Sequence, residues 1–445
     1  MTFGIDSVAT GFKGMEFNAQ VVEGWSLGST PKIAGAEYDP EHPIKAVLSG
    51  HEGALRFDDD LLSRHILFVG AIGSGKTNAM MQLISSLRQS ATDSDVFVIF
   101  DTKGDFRNHL LQPGDSVLSN ERPPGEGAAI WNLVSDLTTD DESLRGEEIF
   151  EIASTIFAEG INSAGDNMYF AVGARDVFAA VVEAMLLQPG SESVSNEEIR
   201  AQLEASQLEL WELLGKYPHL SGAQRYLSGD GQGPRAILAF LQQQVRAAFS
   251  GVFGTRGDFS VRDLVRSKSG RALFIEFDIS SGSLLLPIYR VLLDLAIKEA
   301  LGRSHSVGNV FFVMDEFALL PELTHLANGV NFGRSLGLKF IVGTQNTSQV
   351  KSAYGEDVAT SLLSGFGTVF AFRLMDGSSR SYFRERFGTN RKRLVLPPAV
   401  ASESVKLELT LGNVVEDWDM SALGIGQSLV SLPTGPPFQF AFKLY

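Results

Sequence analysis

Eight residues, Gly70-Ala71-Ile72-Gly73-Ser74-Gly75-Lys76-Thr77, carry the G-x-x-x-x-G-K-T spacing of a phosphate-binding loop. Gly70, Gly73 and Gly75 let backbone N–H groups turn inward around a phosphate, with Ser74 inside the same turn. The start of the following helix adds its partial positive charge. Lys76 is placed to reach the β- and γ-phosphates, and Thr77 to set its hydroxyl on Mg²⁺. A chance glycine-rich turn seldom supplies the Lys-Thr pair together with both flanking elements.

A phosphate loop alone serves kinases, GTPases and motors. The run Asn309-Val310-Phe311-Phe312-Val313-Met314 ends in Asp315-Glu316, a Walker B arrangement. Asp315 is expected to hold the Mg²⁺ shell and Glu316 to polarise an attacking water. Further on, Phe340-Ile341-Val342-Gly343 ends in Thr344-Gln345, and Gln345 could hydrogen-bond the γ-phosphate or the water. Arg334 reads either as an ordinary helix-surface charge or as a finger offered to a neighbouring subunit, worth on the order of 10³ to 10⁵ in rate. Arg64 has the same two readings.

These residues need strands that end at them. Ile66-Leu67-Phe68-Val69 reads as a strand before the loop, and Asn78 to Ile84 as the helix after it. Val96-Phe97-Val98-Ile99-Phe100 is a second strand, running into Asp101-Thr102-Lys103-Gly104-Asp105. Continuous apolar runs of this length suit parallel strands buried on both faces. The Asp101–Lys103 pair is read as stabilising a loop. After Trp131-Asn132-Leu133 the pattern turns helical: Ile149, Ile152, Ile156 and Phe157 repeat at helical spacing. Ser195-Asn196-Glu197-Glu198 has the form of a capping box. Strand-like sequence returns at Ala272 to Phe277, so the helical block reads as an insertion between two halves of one α/β domain. Residues 1–50, with stretches such as Ala19 to Glu23, read as a small β-rich lead-in.

The chain has 445 residues, 44% hydrophobic and 20% charged, enough for two or three domains. It has no cysteine, which excludes disulfides, cysteine-ligated zinc and a thiol nucleophile. Met1 to Asp6 shows neither a basic nor an apolar signal region, and charges such as Arg175, Glu183, Arg290 and Lys298 interrupt the longest apolar stretches. The net charge of −16 argues against a generic DNA-coating surface. Between Asp140 and Leu220, however, 16 acidic and 4 basic residues account for most of it, so a basic lining elsewhere stays open. The one basic cluster of note is Arg380, Arg384, Arg386, Arg391, Lys392 and Arg393, interleaved with Tyr382, Phe383 and Phe387. It could suit backbone contact with stacking, but the spacing favours aromatics turned toward a core.

Taken in order, these stretches resemble the type IV coupling proteins of the TraG/TraD class. The matching pieces are Arg64 to Leu67, the phosphate loop, Asp101 to Gly104, Trp131 to Leu133, Asp166 to Phe170 and Asp315-Glu316-Phe317. Gly333 to Gly337, Thr344-Gln345, Leu423 to Val430 and Pro436 to Phe438 complete the set. The resemblance covers about residues 50 to 445. It implies an α/β fold: a RecA-like P-loop NTPase with a mostly parallel central sheet, an all-α insertion domain and a small β-rich N-terminal segment. The expected boundaries are 1–50 for that segment, 51–135 with 265–445 for the NTPase domain, and 136–264 for the acidic insertion.

The resemblance further implies ATP and Mg²⁺ as ligands, a hexameric ring, Arg334 as the trans finger, Gln345 as the sensor and Arg64 near the nucleotide. The implied function is an ATP-hydrolysing motor that drives DNA or a DNA–protein conjugate toward a secretion channel. Relatives usually carry N-terminal transmembrane helices and none is evident here. A cytoplasmic location is therefore expected, peripheral to the inner membrane only through partners. The acidic insertion reads either as a face for a basic cargo protein, such as a relaxase or effector, or as a solvated surface. Two other readings stand beside this one: a DNA-pumping ATPase like the FtsK/HerA group without a channel, and a nucleotide-gated adaptor that barely turns over.

Overall fold

A computed structural model describes residues 18–120, 127–137, 142–277, 282–302, 308–320, 323–396 and 406–445. Residues 1–17 of the expected N-terminal segment and 138–141 of the expected insertion lie outside that description. The chain divides into two compact units, Met1–Leu87 with Gly343–Tyr445, and Arg88–Val342.

In the first unit the strand Ile66–Val69 is buried at every position. It pairs in parallel with Thr368–Ala371, which pairs antiparallel with Gln427–Ser431, itself antiparallel to Phe438–Ala441. Burial on both faces explains the uninterrupted apolar runs. Phe68 stacks on Phe370 across the parallel pair, with ring centroids 4.6 Å apart. The helix Lys76–Ser90 buries Ala79, Met80, Leu83, Ile84 and Leu87, one face at 3.6-residue spacing. Two small sheets complete this unit. Ile33–Gly35, Ala54–Phe57 and Ala46–Ser49 form one. In the other, Asn18–Glu23 joins the hairpin of Thr389–Leu396 and Lys406–Asn413, so the first described strand pairs with residues far away in sequence.

The second unit holds residues 338–342 of the strand Leu338–Thr344, then Asn309–Met314, Asp95–Asp101, Ala272–Glu276 and Ser116–Leu118, each parallel to its neighbour in that order. Phe97 stacks on Phe311, and Phe312 on Phe340, at 4.7 and 5.0 Å. Between Ser116–Leu118 and Ala272–Glu276 the regular elements described are all helical. The longest are Glu142–Ser163, Met168–Leu186 and Gln232–Ala248. Ile149, Ile152, Ile156 and Phe157 are buried as their spacing requires. Ser195 and Glu198 form the capping box, with Ser195 N donating to Glu198 Oε2 at 3.0 Å. No described helix is long and apolar enough to cross a membrane.

The helical block leaves and rejoins the sheet at one buried knot. Trp131 is fully buried, forms a bridge with Phe259, and donates its indole N–H to Asp136 at 2.6 Å. Asp136 also accepts from Ser260 Oγ at 2.7 Å and Arg262 N at 2.8 Å. Burial pushes the Asp136 carboxyl above the usual aspartate range, while the three donors pull it back. Asn196 reaches in from its helix to donate to the carbonyls of Trp131 and Phe253. The Trp131-Asn132-Leu133 stretch is thus a structural clamp.

Candidate nucleotide site

The phosphate loop joins the buried strand Ile66–Val69 to the helix that begins at Lys76. Its three glycines answer three different demands. A β-carbon on Gly70 would stand 2.5 Å from Phe372 Cβ. Gly73 has φ +73° and opens onto empty space. Gly75 has φ +100°, and a β-carbon there would meet Gly426 N at 2.8 Å. Gly426 N in turn donates to Ser74 O at 2.9 Å, so the C-terminal stretch Leu423 to Gln427 braces the loop.

Inside the loop Lys76 is only 9% exposed, yet its ammonium has no hydrogen-bond or ion-pair partner among the described residues. Ser74 Oγ is likewise buried with no partner. A lysine set in a turn of backbone N–H groups, without a carboxylate beside it, suits an anion. A cradle with left-handed glycines, an unmatched lysine and a helix start fits a phosphate. Thr77 lies in the first helical turn, where its hydroxyl fits a metal bound to that phosphate.

Gln345 follows the strand Leu338–Thr344 and is half-buried. It lines a cleft of about 570 Å³ with Ala71 and Ile72 of the loop, and with Asn346, Arg373 and Asp376. The strand end of the loop and Gln345 therefore share one cavity. Arg64 does not join them. It stands before the other end of the strand Ile66–Val69, six residues from Gly70, or about 20 Å of extended chain. Its guanidinium pairs with Asp60 at 3.2 Å. Strand direction sets Arg64 at the opposite end of the strand from the loop of its own chain; its expected place near a nucleotide stays a reading from resemblance.

In the second unit Asp315 ends the fully buried strand Asn309–Met314 and is itself 5% exposed. Glu316 follows at half-buried depth, at the start of a short 3₁₀ turn, Phe317–Leu319. Two carboxylates placed at the end of an apolar strand suit a metal and a water. Arg334 lies in the 3₁₀ turn Gly333–Leu336, exposed, next to exposed Phe332. That outward placement is what a finger for a neighbouring subunit requires. Asp101 is buried and accepts from the backbone N–H groups of Arg107 at 2.9 Å and Lys103 at 3.3 Å, the loop-stabilising role read from its sequence. Burial raises its carboxyl above the ordinary range, with Glu276 adding to the effect.

The basic cluster is largely engaged within the fold. Arg380 and Arg384 pair with Asp417, Arg391 with Glu23, and Lys392 with Glu416. Arg386 donates to the carbonyls of Phe366 and Gly367. Phe383 and Phe387 are buried, so neither offers a face for a base to stack on. The acidic helices are also partly neutralised, by cations that lie later in the sequence. Glu148 pairs with Arg262, Glu151 with Lys298, Glu159 with Arg290 and Glu198 with Arg256. Glu147, Asp166, Glu197, Glu209 and Glu212 remain exposed.

Two contributors escaped the sequence reading. Gly426 braces the loop from hundreds of residues away, and Arg373 lines the cleft. The available signal for Arg373 was the apolar run Val369-Phe370-Ala371-Phe372 ending in a charge, the pattern that marked Asp315 and Gln345.

Fold and loop together define an α/β, RecA-like P-loop nucleotide-binding protein with a helical insertion. Residues 51–396 match the family described as type IV secretion-system coupling protein DNA-binding domain, and the chain belongs to that family. It is similar to the coupling protein TraD of Escherichia coli (strain K12), 24% identical over 310 residues. That match takes in 68% of this chain and 41% of TraD, less than half of the relative's length. The unbound conjugative coupling protein TrwBΔN70 has a similar structure, with a TM-score of 0.71 and 20% identity over 90% of this chain and 89% of that one. TrwB in complex with ADP and Mg²⁺ gives a TM-score of 0.71 and 20% identity, covering 90% of each chain. At that identity the structural likeness shows a shared fold.

Proposed function

We propose that this chain is a Mg²⁺-dependent ATPase that assembles as a ring and drives DNA, or DNA with attached protein, toward a type IV secretion channel. The carrying observation is the phosphate loop, in which Lys76 and buried Ser74 Oγ have no partner among the described residues and would suit an anion. Membership of a family described as a type IV secretion-system coupling protein DNA-binding domain supports DNA as cargo and a secretion system as the setting. The related TrwB has been solved with ADP and Mg²⁺ and with analogues of GTP and ATP, which supports nucleotide and metal here.

In this reading Gly70, Gly73, Ser74 and Gly75 enclose the phosphates and Lys76 neutralises them. Bound Mg²⁺, held through Thr77 and Asp315, would supply charge neutralisation at the phosphates. Glu316 orients the attacking water, Gln345 reports the state of the terminal phosphate, and exposed Arg334 reaches a neighbour's nucleotide. The helical insertion, over 136–264, would meet cargo. Its surviving exposed carboxylates offer a smaller negative face than the composition suggested, and a basic cargo protein remains the partner they would suit. The working location is cytoplasmic, with contact to the inner membrane through partners.

The test is phosphate release from ATP by the purified chain, with Mg²⁺ and with the metal chelated, beside Lys76→Ala and Glu316→Gln. Lys76→Ala should lose nucleotide binding, and Glu316→Gln should keep binding and lose turnover. Metal-independent release, or a fully active Glu316→Gln, would remove the assignment.

A further inference from the structure

The cleft beside the phosphate loop contains a cation that none of the assigned roles uses. Arg373 follows the strand Thr368–Ala371, which pairs in parallel with the loop strand so that Ala371 lies opposite Val69. Phe372 N donates to Val69 O at 2.8 Å, and Ala71 N donates to Arg373 O at 3.0 Å. With Phe372 packed where a β-carbon on Gly70 would sit, the Arg373 backbone is fixed against the start of the loop.

The guanidinium itself makes no hydrogen bond or ion pair with any described residue. Asp376 lines the same cleft, but its carboxylate is committed to capping the helix Gly377–Phe387, accepting from Ser379 N at 2.8 Å. The nearby arginines behave differently: Arg380 and Arg384 are paired to Asp417, and Arg386 to two carbonyls. Arg373 is thus the cation of this segment left to face a cleft, and an anion is what would complete it.

The helix end of a phosphate loop cradles the α- and β-phosphates. Its strand end, here Ala71 and Ile72, is left beside the terminal phosphate. Ala71, Ile72, Gln345 and Arg373 line one cavity. We infer that Arg373 contacts the terminal phosphate of a nucleotide held by its own subunit, and so makes the site prefer a nucleoside triphosphate to a diphosphate. The inference rests on the phosphate-loop reading above. It differs from the Arg334 assignment in acting in cis, before any ring forms.

The test is fluorescence titration of the intact chain with mant-ADP and with the non-hydrolysable mant-AMPPNP, both with Mg²⁺. Loss of one charge-assisted contact should weaken mant-AMPPNP binding by about 10- to 100-fold in Arg373→Ala. Mant-ADP binding should stay within about twofold, which also shows that the variant is folded. Arg373→Lys should recover part of the loss, because the charge returns without the planar fork. Equal weakening of both ligands, or no change in either, would overturn the inference while leaving the phosphate-loop reading standing. Failure of the unaltered chain to bind either ligand would overturn both.

Discussion

Gly75 and Gly73 differ in what surrounds them, and that difference predicts unequal costs for the same substitution. An alanine at either site is held at positive φ, +100° at Gly75 and +73° at Gly73. That strain costs on the order of 1–2 kcal/mol. At Gly73 nothing lies within 4 Å of the new methyl, so the strain is the whole effect. At Gly75 the methyl would stand 2.8 Å from Gly426 N and 2.9 Å from Gly426 Cα, backbone atoms that cannot rotate aside. Pushing them away breaks the 2.9 Å bond from Gly426 N to Ser74 O, worth about 1 kcal/mol. Residual crowding adds to that loss. Gly75→Ala should therefore destabilise the nucleotide-free protein by about 2–4 kcal/mol and Gly73→Ala by about 1–2 kcal/mol.

Urea unfolding without nucleotide gives the two stabilities. Hydrogen exchange over residues 424–427 gives the local cause, because the Gly426 amide should lose protection in Gly75→Ala and keep it in Gly73→Ala. Equal stability losses with equal protection at Gly426 would refute the claim that the C-terminal stretch braces the loop.

The other predictions concern the clamp and the finger. Asp136→Ala strands the donors of Trp131, Ser260 and Arg262 in a buried site, and should cost about 3–5 kcal/mol in urea unfolding. A loss under about 1 kcal/mol would show that the knot does not hold the helical block. Arg334→Ala should lower ATP turnover of the assembled protein by on the order of 10³-fold while leaving mant-ADP binding unchanged. Mixing Arg334→Ala with Glu316→Gln should then restore turnover, since interfaces form in which an intact finger meets an intact Glu316. Mixtures no more active than either variant alone would place Arg334 outside trans catalysis.

Strand ends and helix faces were legible because their signals are local. Burial on two faces writes a continuous apolar run, and Asp315, Gln345 and the phosphate loop stand where such runs stop. The Ile149–Phe157 stripe and the Ser195–Glu198 box are equally short-range patterns. What escaped depends on partners distant in sequence. Nothing near Asn18–Glu23 foretells its pairing with Thr389–Leu396. Counting charges over residues 140–220 missed that Arg256, Arg262, Arg290 and Lys298 fold back onto that block. Interleaved arginine and aromatic residues around 380–393 fit stacking and core packing alike, and the burial of Phe383 and Phe387 decides for the core. The placement of Arg64 near a nucleotide was carried by resemblance alone, because no local pattern marks it.

The central claim is a nucleic-acid motor that works as a ring, and one measurement tests it most directly. It is steady-state ATP hydrolysis across protein concentration, with and without single- and double-stranded DNA, using Glu316→Gln as the blank. The account predicts turnover that rises more steeply than protein concentration and is strongly stimulated by DNA. A rate proportional to concentration and indifferent to DNA would contradict it.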